Sequence, residues 1–153
     1  MDESLVHYAL YEAGLAATSL VLEITEAVIV SDSLRMGTVM QRLRELGVGI
    51  ALDDFGTGFS SILALDGLPI DRLKVDRCFI AGLGSGGHDS AVLAAVVDLA
   101  HKLGLRVVAE GVETVEELRA VGAMGCDEVQ GFLLGRPGSA PPSVPERFLV
   151  ALG

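Results

Sequence analysis

Tryptophan is absent from this chain, cysteine occurs only twice, and aromatic residues make up 5% of it. A core without large rings is assembled from Ala, Val, Leu and Ile, a composition that suits helices packed on a parallel sheet. Cations are scarce as well: 11 Lys and Arg stand against 21 Asp and Glu, a formal net charge of −10. A binder of nucleic acid polymer needs clustered Lys and Arg to displace counterions, so that class is excluded. A small phosphate-bearing substrate is not, because bound cations can reverse the local field. No apolar run approaches the roughly 20 residues of a membrane span. The opening Met-Asp-Glu-Ser lacks the positive start of a signal peptide. Cys78 and Cys126 show no metal-ligand spacing and read as reduced thiols, which points to a soluble cytoplasmic protein. At 153 residues the chain fits one domain with a substantial core.

What is present is a regular alternation of short apolar runs and longer segments of helical period. Strands are expected over Leu20–Thr25, Val48–Asp53, Arg72–Val75, Arg106–Ala109 and Glu128–Leu133. Met36, Val39, Met40, Leu43 and Leu46 recur at spacings of three and four, an amphipathic helix ended by Gly47, with Ser31 or Ser33 to cap its start. A second helix runs from Asp89 to Leu103, with Val92, Ala95, Val96, Leu99 and Leu103 assigned to its apolar face. A third opens on a capping box, Thr114 followed by Glu117, and stops near Gly122. A helix over Glu3–Ala13, stopped by Gly14, precedes the first strand. Residues 137–145 form a Pro-rich loop before a short C-terminal helix. The β-then-α order implies parallel strands joined by right-handed crossovers, which an open doubly wound sheet and a barrel satisfy equally.

The polar residues gather at strand ends. Glu23 and Glu26 end the first strand, Asp53 and Asp54 the second, Lys74 and Asp76 the third, and Glu110 and Glu113 the fourth; Gln130 falls within the fifth. Parallel strands bring such ends to one face, where α/β barrels keep their active sites. Any one acid there can equally be an N-cap, but capping does not explain five strands that each carry polar groups at the same end. Clustered carboxylates repel unless cations neutralise them, and an all-oxygen shell selects hard ions such as Mg²⁺ or Mn²⁺. Asp53 and Asp54 point to opposite faces of a continuing strand, so both reach one site only if the chain turns there. Gly56 and Gly58 in Phe55-Gly56-Thr57-Gly58-Phe59-Ser60-Ser61 supply a turn, and each carboxylate can then hold one of two metals. Lys74 fits a role in orienting water or neutralising transition-state charge; the alternative is a salt bridge to Asp76 or a neighbouring carboxylate. Glu110 is the candidate general base. The Gly82–Gly87 run lacks the Gly-Lys-Ser/Thr ending of a phosphate loop and reads as a connector, and His7, His88 and His101 lack ligand spacing.

Leu22-Glu23-Ile24-Thr25-Glu26, the run from Leu52 to Ser61, Leu73-Lys74-Val75-Asp76, Ala109-Glu110-Gly111-Val112-Glu113 and Gln130-Gly131-Phe132 together resemble the EAL family of bacterial signal-transduction phosphodiesterases. The motifs stand in family order over Leu20 to Pro137, with Phe59 where Tyr is more usual. The resemblance implies a hydrolase that opens cyclic di-GMP to linear pGpG on a TIM-like β/α barrel. It implies Glu23 and Asp53 as ligands of one Mg²⁺ or Mn²⁺ ion, Asp54 of a second, and Glu110 as ligand or base. Lys74 would orient the hydrolytic water, while Glu113, Gln130 and Asp76 shape the metal and substrate site. Glu26 would anchor the loop containing Gly56 and Gly58, and the family places a homodimer contact near this Asp53–Ser61 region.

The Glu-Ala-Leu segment that names the family, and an Asn ligand, have no counterpart ahead of Leu20; Glu12-Ala13-Gly14 is not a substitute. The chain is therefore read as a single N-terminally truncated EAL-type domain over residues 1–153. Its fold is a partial barrel holding about strands four to eight of eight. Such a remnant is expected to expose apolar surface and unpaired edges and to be poorly stable, oligomeric or inactive. The alternative function is a catalytically inactive module that binds cyclic di-GMP or a protein partner in signalling. A remnant with only a structural role is a third.

Overall fold

The structure, a computed structural model, describes residues 3–25, 33–55, 67–83, 89–136 and 138. Two compact units divide the chain, Met1–Leu73 and Lys74–Gly153. The strand order in the sheet follows the chain.

The first unit holds α1 (Glu3–Ala13), a 3-10 turn at Ala17–Ser19, β1 (Val21–Thr25), α2 (Ser33–Glu45) and β2 (Gly49–Phe55). It also holds the start of β3 (Arg72–Val75). β1 and β2 pair in parallel, with Glu23 opposite Ala51 and Thr25 opposite Asp53. Side chains alternate along a strand. Accordingly Leu22, Ile24 and Ile50 line one small apolar gap with Met36, Val39, Met40 and Leu43 of α2. Glu23 and Asp53 fall on the opposite face. α1 matches its expected bounds, and Leu5, Tyr8, Tyr11 and Leu15 in and just after it are 57% to 77% exposed. The apolar surface expected from the sequence is thus present in this unit.

The second unit runs from the end of β3 through α3 (Arg77–Ile80), α4 (Asp89–Lys102), β4 (Arg106–Glu110) and α5 (Val115–Ala123) to β5 (Glu128–Gln130). β4 and β5 pair in parallel, with Val108 opposite Glu128 and Glu110 opposite Gln130. The capping box is formed as expected: Thr114 Oγ1 accepts from Glu117 N–H, and the Glu117 carboxylate accepts from Thr114 N–H at 3.0 Å. Glu117 also accepts from Glu113 N–H at 2.8 Å, so the cap fixes the segment that leaves β4.

Both units use the same device to start a strand. Asp71, one residue ahead of β3, accepts from Ile50 N–H (2.9 Å), donates its own N–H to Ile50 O (2.8 Å) and pairs with Arg44 near the end of α2 (2.8 Å). Asp127, one residue ahead of β5, does the same with Val107 (2.7 and 2.9 Å) and with His101 near the end of α4 (2.9 Å). Burial works against the Asp127 carboxylate, but the Val107 and His101 bonds outweigh it and hold its pKa below the ordinary 3.8. A lowered folded-state pKa adds stability above the unfolded value that is lost as pH falls through the folded one. Asp127→Asn should therefore cost about 1–2 kcal/mol at pH 7. That deficit should shrink below about pH 4, as urea melts of both proteins across pH will show.

Two expectations need correction. β5 ends at Gln130, not Leu133, because Val112 N–H donates to Gln130 O and Val112 O accepts from Leu133 N–H, both at 3.1 Å. Those bonds curl the chain after Gln130 into a turn. The apolar face of α4 is also rotated: Leu93, Val97 and Ala100 are buried together with the expected Val96, whereas Val92 is 49% exposed. A helix rich in Ala, Val and Leu nearly all round does not declare one stripe by period alone.

Candidate active site

Within the first unit, adjacent strands bring Glu23 and Asp53 to the face away from α2, two residues apart in register. Thr25 lies directly beside Asp53 on that face. Asp54, within β2, has a φ of +57°, the one left-handed non-glycine backbone among the described residues, and the turn expected at Gly56 and Gly58 lies outside them. Asp tolerates this region better than most residues, and Asp54 N–H donates to Asp53 Oδ1 at 3.1 Å. The left-handed step breaks the alternation that would send the two carboxylates to opposite faces. It is held at a cost of about 1–3 kcal/mol, a cost typical of functional positions.

Within the second unit the central contact is Lys74 Nζ to Glu110 Oε1 at 2.7 Å. Lys74 is only 4% exposed, between Leu73 and Val75 on a strand buried on both faces. A buried ammonium needs a partner, so β3 and β4 are tied through charge as well as backbone. The salt bridge that competed with a catalytic role for Lys74 therefore exists, and its acid is Glu110 rather than Asp76. Asp76 caps α3, accepting from Cys78 N–H at 2.8 Å, and that backbone bond lowers its pKa. Gln130 ends β5 beside Glu110 in register. Glu113 lies past the end of β4 in a two-pronged pair with Arg77, one prong at 2.7 Å, which lowers the Glu113 pKa. Arg77 gave no signal in the sequence, since 36 residues separate the partners. Glu26, Gly56, Gly58, His88 and the 137–145 loop other than Gly138 lie outside the described residues.

In the first unit the carboxylates of Glu23 on β1 and Asp53 on β2 make an all-oxygen donor set. That set fits hard divalent cations and lacks the Cys or His donors zinc favours. The thiols are elsewhere in character: both are free, and burial pushes Cys126 up to about 11.

The EAL domain family model matches residues 2–137. This chain belongs to the EAL domain family. It is 45% identical over 146 residues to the cyclic di-GMP phosphodiesterase NbdA of Pseudomonas aeruginosa, covering 95% of this chain and 18% of that protein. The PaMucR phosphodiesterase, solved as a c-di-GMP complex, is 42% identical with a TM-score of 0.78, over 93% of this chain and 56% of that one. Klebsiella pneumoniae BlrP1 in its calcium/cy-diGMP complex is 34% identical with a TM-score of 0.82, over 91% of this chain and 36% of that one. Its manganese/cy-diGMP complex gives 35% and 0.81, over 88% and 34%. The chain thus spans about a fifth of the curated relative's length. Its five-strand sheet with flanking helices matches part of these EAL domains, whose fold is a TIM-like β/α barrel, in line with the partial barrel expected.

Proposed function

We propose that this chain serves metal-dependent hydrolysis of cyclic di-GMP to linear pGpG, as a single EAL-type domain over residues 1–153. The observation that carries the reading is the Lys74–Glu110 pair, with Lys74 buried, in a sequence that matches the family over residues 2–137. In this reading Glu23 and Asp53 hold one divalent ion, Asp54 a second, and Glu110 contacts the metals or serves as base. Mg²⁺ or Mn²⁺ supplies the Lewis acidity that activates water and steadies a leaving oxygen. Lys74, fixed by Glu110, holds its ammonium toward the attacking water and the phosphorane-like charge. Water oxygen bonds to one phosphorus, one P–O3′ bond breaks, and the 3′ oxygen takes up a proton. Gln130, Glu113 and Asp76 flank this chemistry, and Glu26 with Gly56 and Gly58 anchors the neighbouring loop. We further propose a homodimer through the Asp53–Ser61 region and a bacterial, cytoplasmic signalling role. Two free thiols favour a reducing compartment, and no helix among the described residues is long and apolar enough to cross a membrane.

The test is chromatography of pGpG from cyclic di-GMP with Mg²⁺, Mn²⁺ or EDTA, paired with calorimetry of cyclic di-GMP binding. Metal-dependent pGpG is expected. Binding without product moves the reading to a non-catalytic cyclic di-GMP module, and neither binding nor product overturns both.

A further inference from the structure

The Lys74–Glu110 pair accounts for chemistry at phosphorus but leaves recognition of the bases unassigned. Two residues past Gln130, the ring of Phe132 is 51% exposed, though it belongs to a largely aliphatic protein. The guanidinium of Arg136 lies over it, 4.3 Å from the centroid. A cation–π contact of this kind holds an exposed ring in one orientation, which a bare surface Phe lacks. The ring is also well placed along the chain. Gln130, opposite Glu110 in register, ends β5, and the Val112 bonds fold the next residues back toward the end of β4. Arg136 further lowers the pKa of Glu113, so its charge acts on the segment that leaves β4. Arg77 is engaged by Glu113 in a two-pronged pair, whereas Arg136 stacks on the ring and adds positive charge next to it.

We infer that Phe132 is a stacking platform for one purine base of the cyclic dinucleotide, with Arg136 as the positioning residue that holds the ring. The inference rests on the proposed function for its substrate class. Every nucleobase offers a π-face, and an oriented aromatic ring stacks on it without hydrogen-bond readout. A positive charge beside the ring suits a ligand carrying two phosphates in a protein of net charge −10.

Phe132→Ala should raise the KM for cyclic di-GMP, and its Kd measured calorimetrically with Ca²⁺, by roughly tenfold to a hundredfold. Phe132→Trp should restore both, and Arg136→Gln should give a smaller rise. Turnover of bis(p-nitrophenyl) phosphate, a phosphodiester without a purine, should be unchanged in all three, and so should the urea midpoint. Unchanged KM and Kd in Phe132→Ala, or an equal loss on both substrates, overturns the platform while leaving the proposed function standing. A wild-type chain that binds no cyclic di-GMP overturns the proposed function and the platform with it.

Discussion

Gly131→Ala should leave little folded protein at 25 °C. A Cβ at Gly131 would overlap the backbone oxygen and nitrogen of Val112 and stand 2.7 Å from its carbonyl carbon. Those are backbone atoms, with no rotamer to move them aside. They cannot withdraw without breaking the Val112 bonds to Gln130 and Leu133, which close the turn after β5. The loss should exceed about 4 kcal/mol, against a total stability of about 5–15 kcal/mol for an ordinary domain. Gly37→Ala is the control: it lies within α2, and a Cβ there meets nothing within 4 Å. That change should raise stability by about 0.5–1 kcal/mol, because Ala loses less backbone entropy in a helix. Urea melts followed by circular dichroism will read both. A Gly131→Ala protein with a midpoint near wild type would show that the Val112 approach is not needed for folding.

Local patterns made much of this molecule legible in advance. Glu3–Ala13 and Arg72–Val75 have their expected bounds, and the Thr114–Glu117 capping box is formed, because each is written in adjacent residues. The strand-end carboxylates were found for the same reason, as alternation and strand polarity place them with no tertiary information. What stayed hidden depends on partners distant in sequence. The Asp71 and Asp127 clamps join residues about 20 positions apart, and either Asp alone looks like a turn residue. Gly131 looked like a motif letter until the Val112 backbone appeared beside it. The rotated face of α4 was hidden for a different reason. Packing on β4 selects Leu93, Val96, Val97 and Ala100 from a helix with apolar residues on several sides.

Those hidden links bear on the site. The two Asp clamps hold the entry ends of β3 and β5, ahead of Lys74 on β3 and Gln130 on β5. Changes at the clamps should therefore lower stability without altering substrate preference. Changes at the strand exits should do the reverse, with Lys74 and Glu110 the exception, because Lys74 is buried against Glu110 and the proposed function places both at the reaction.

In the proposed function, Glu110→Gln should lower pGpG formation by about 10²- to 10⁴-fold, the contribution of a positioned general base. It should also destabilise the protein. The amide keeps an acceptor near Lys74 Nζ but removes the Glu110 charge from a 4% exposed ammonium, and breaking a buried pair costs about 3–5 kcal/mol. Activity loss in this variant alone is thus open to the reply that the protein has unfolded. Lys74→Met separates the effects, since it replaces the buried cation with an apolar chain of similar length. Its stability cost should be smaller, because Glu110 at 18% side-chain exposure retains access to water. Both side chains have interactions beyond this pair, so the double variant will not return fully to wild-type stability. It should still be more stable than Glu110→Gln, with the coupling appearing as non-additivity in the double-mutant cycle. Its turnover should stay at the floor, because refilling the core restores neither the carboxylate nor the ammonium. If the double variant regains hydrolysis along with stability, or Glu110→Gln alone keeps more than a tenth of wild-type turnover, the pair is structural and the reacting groups lie elsewhere.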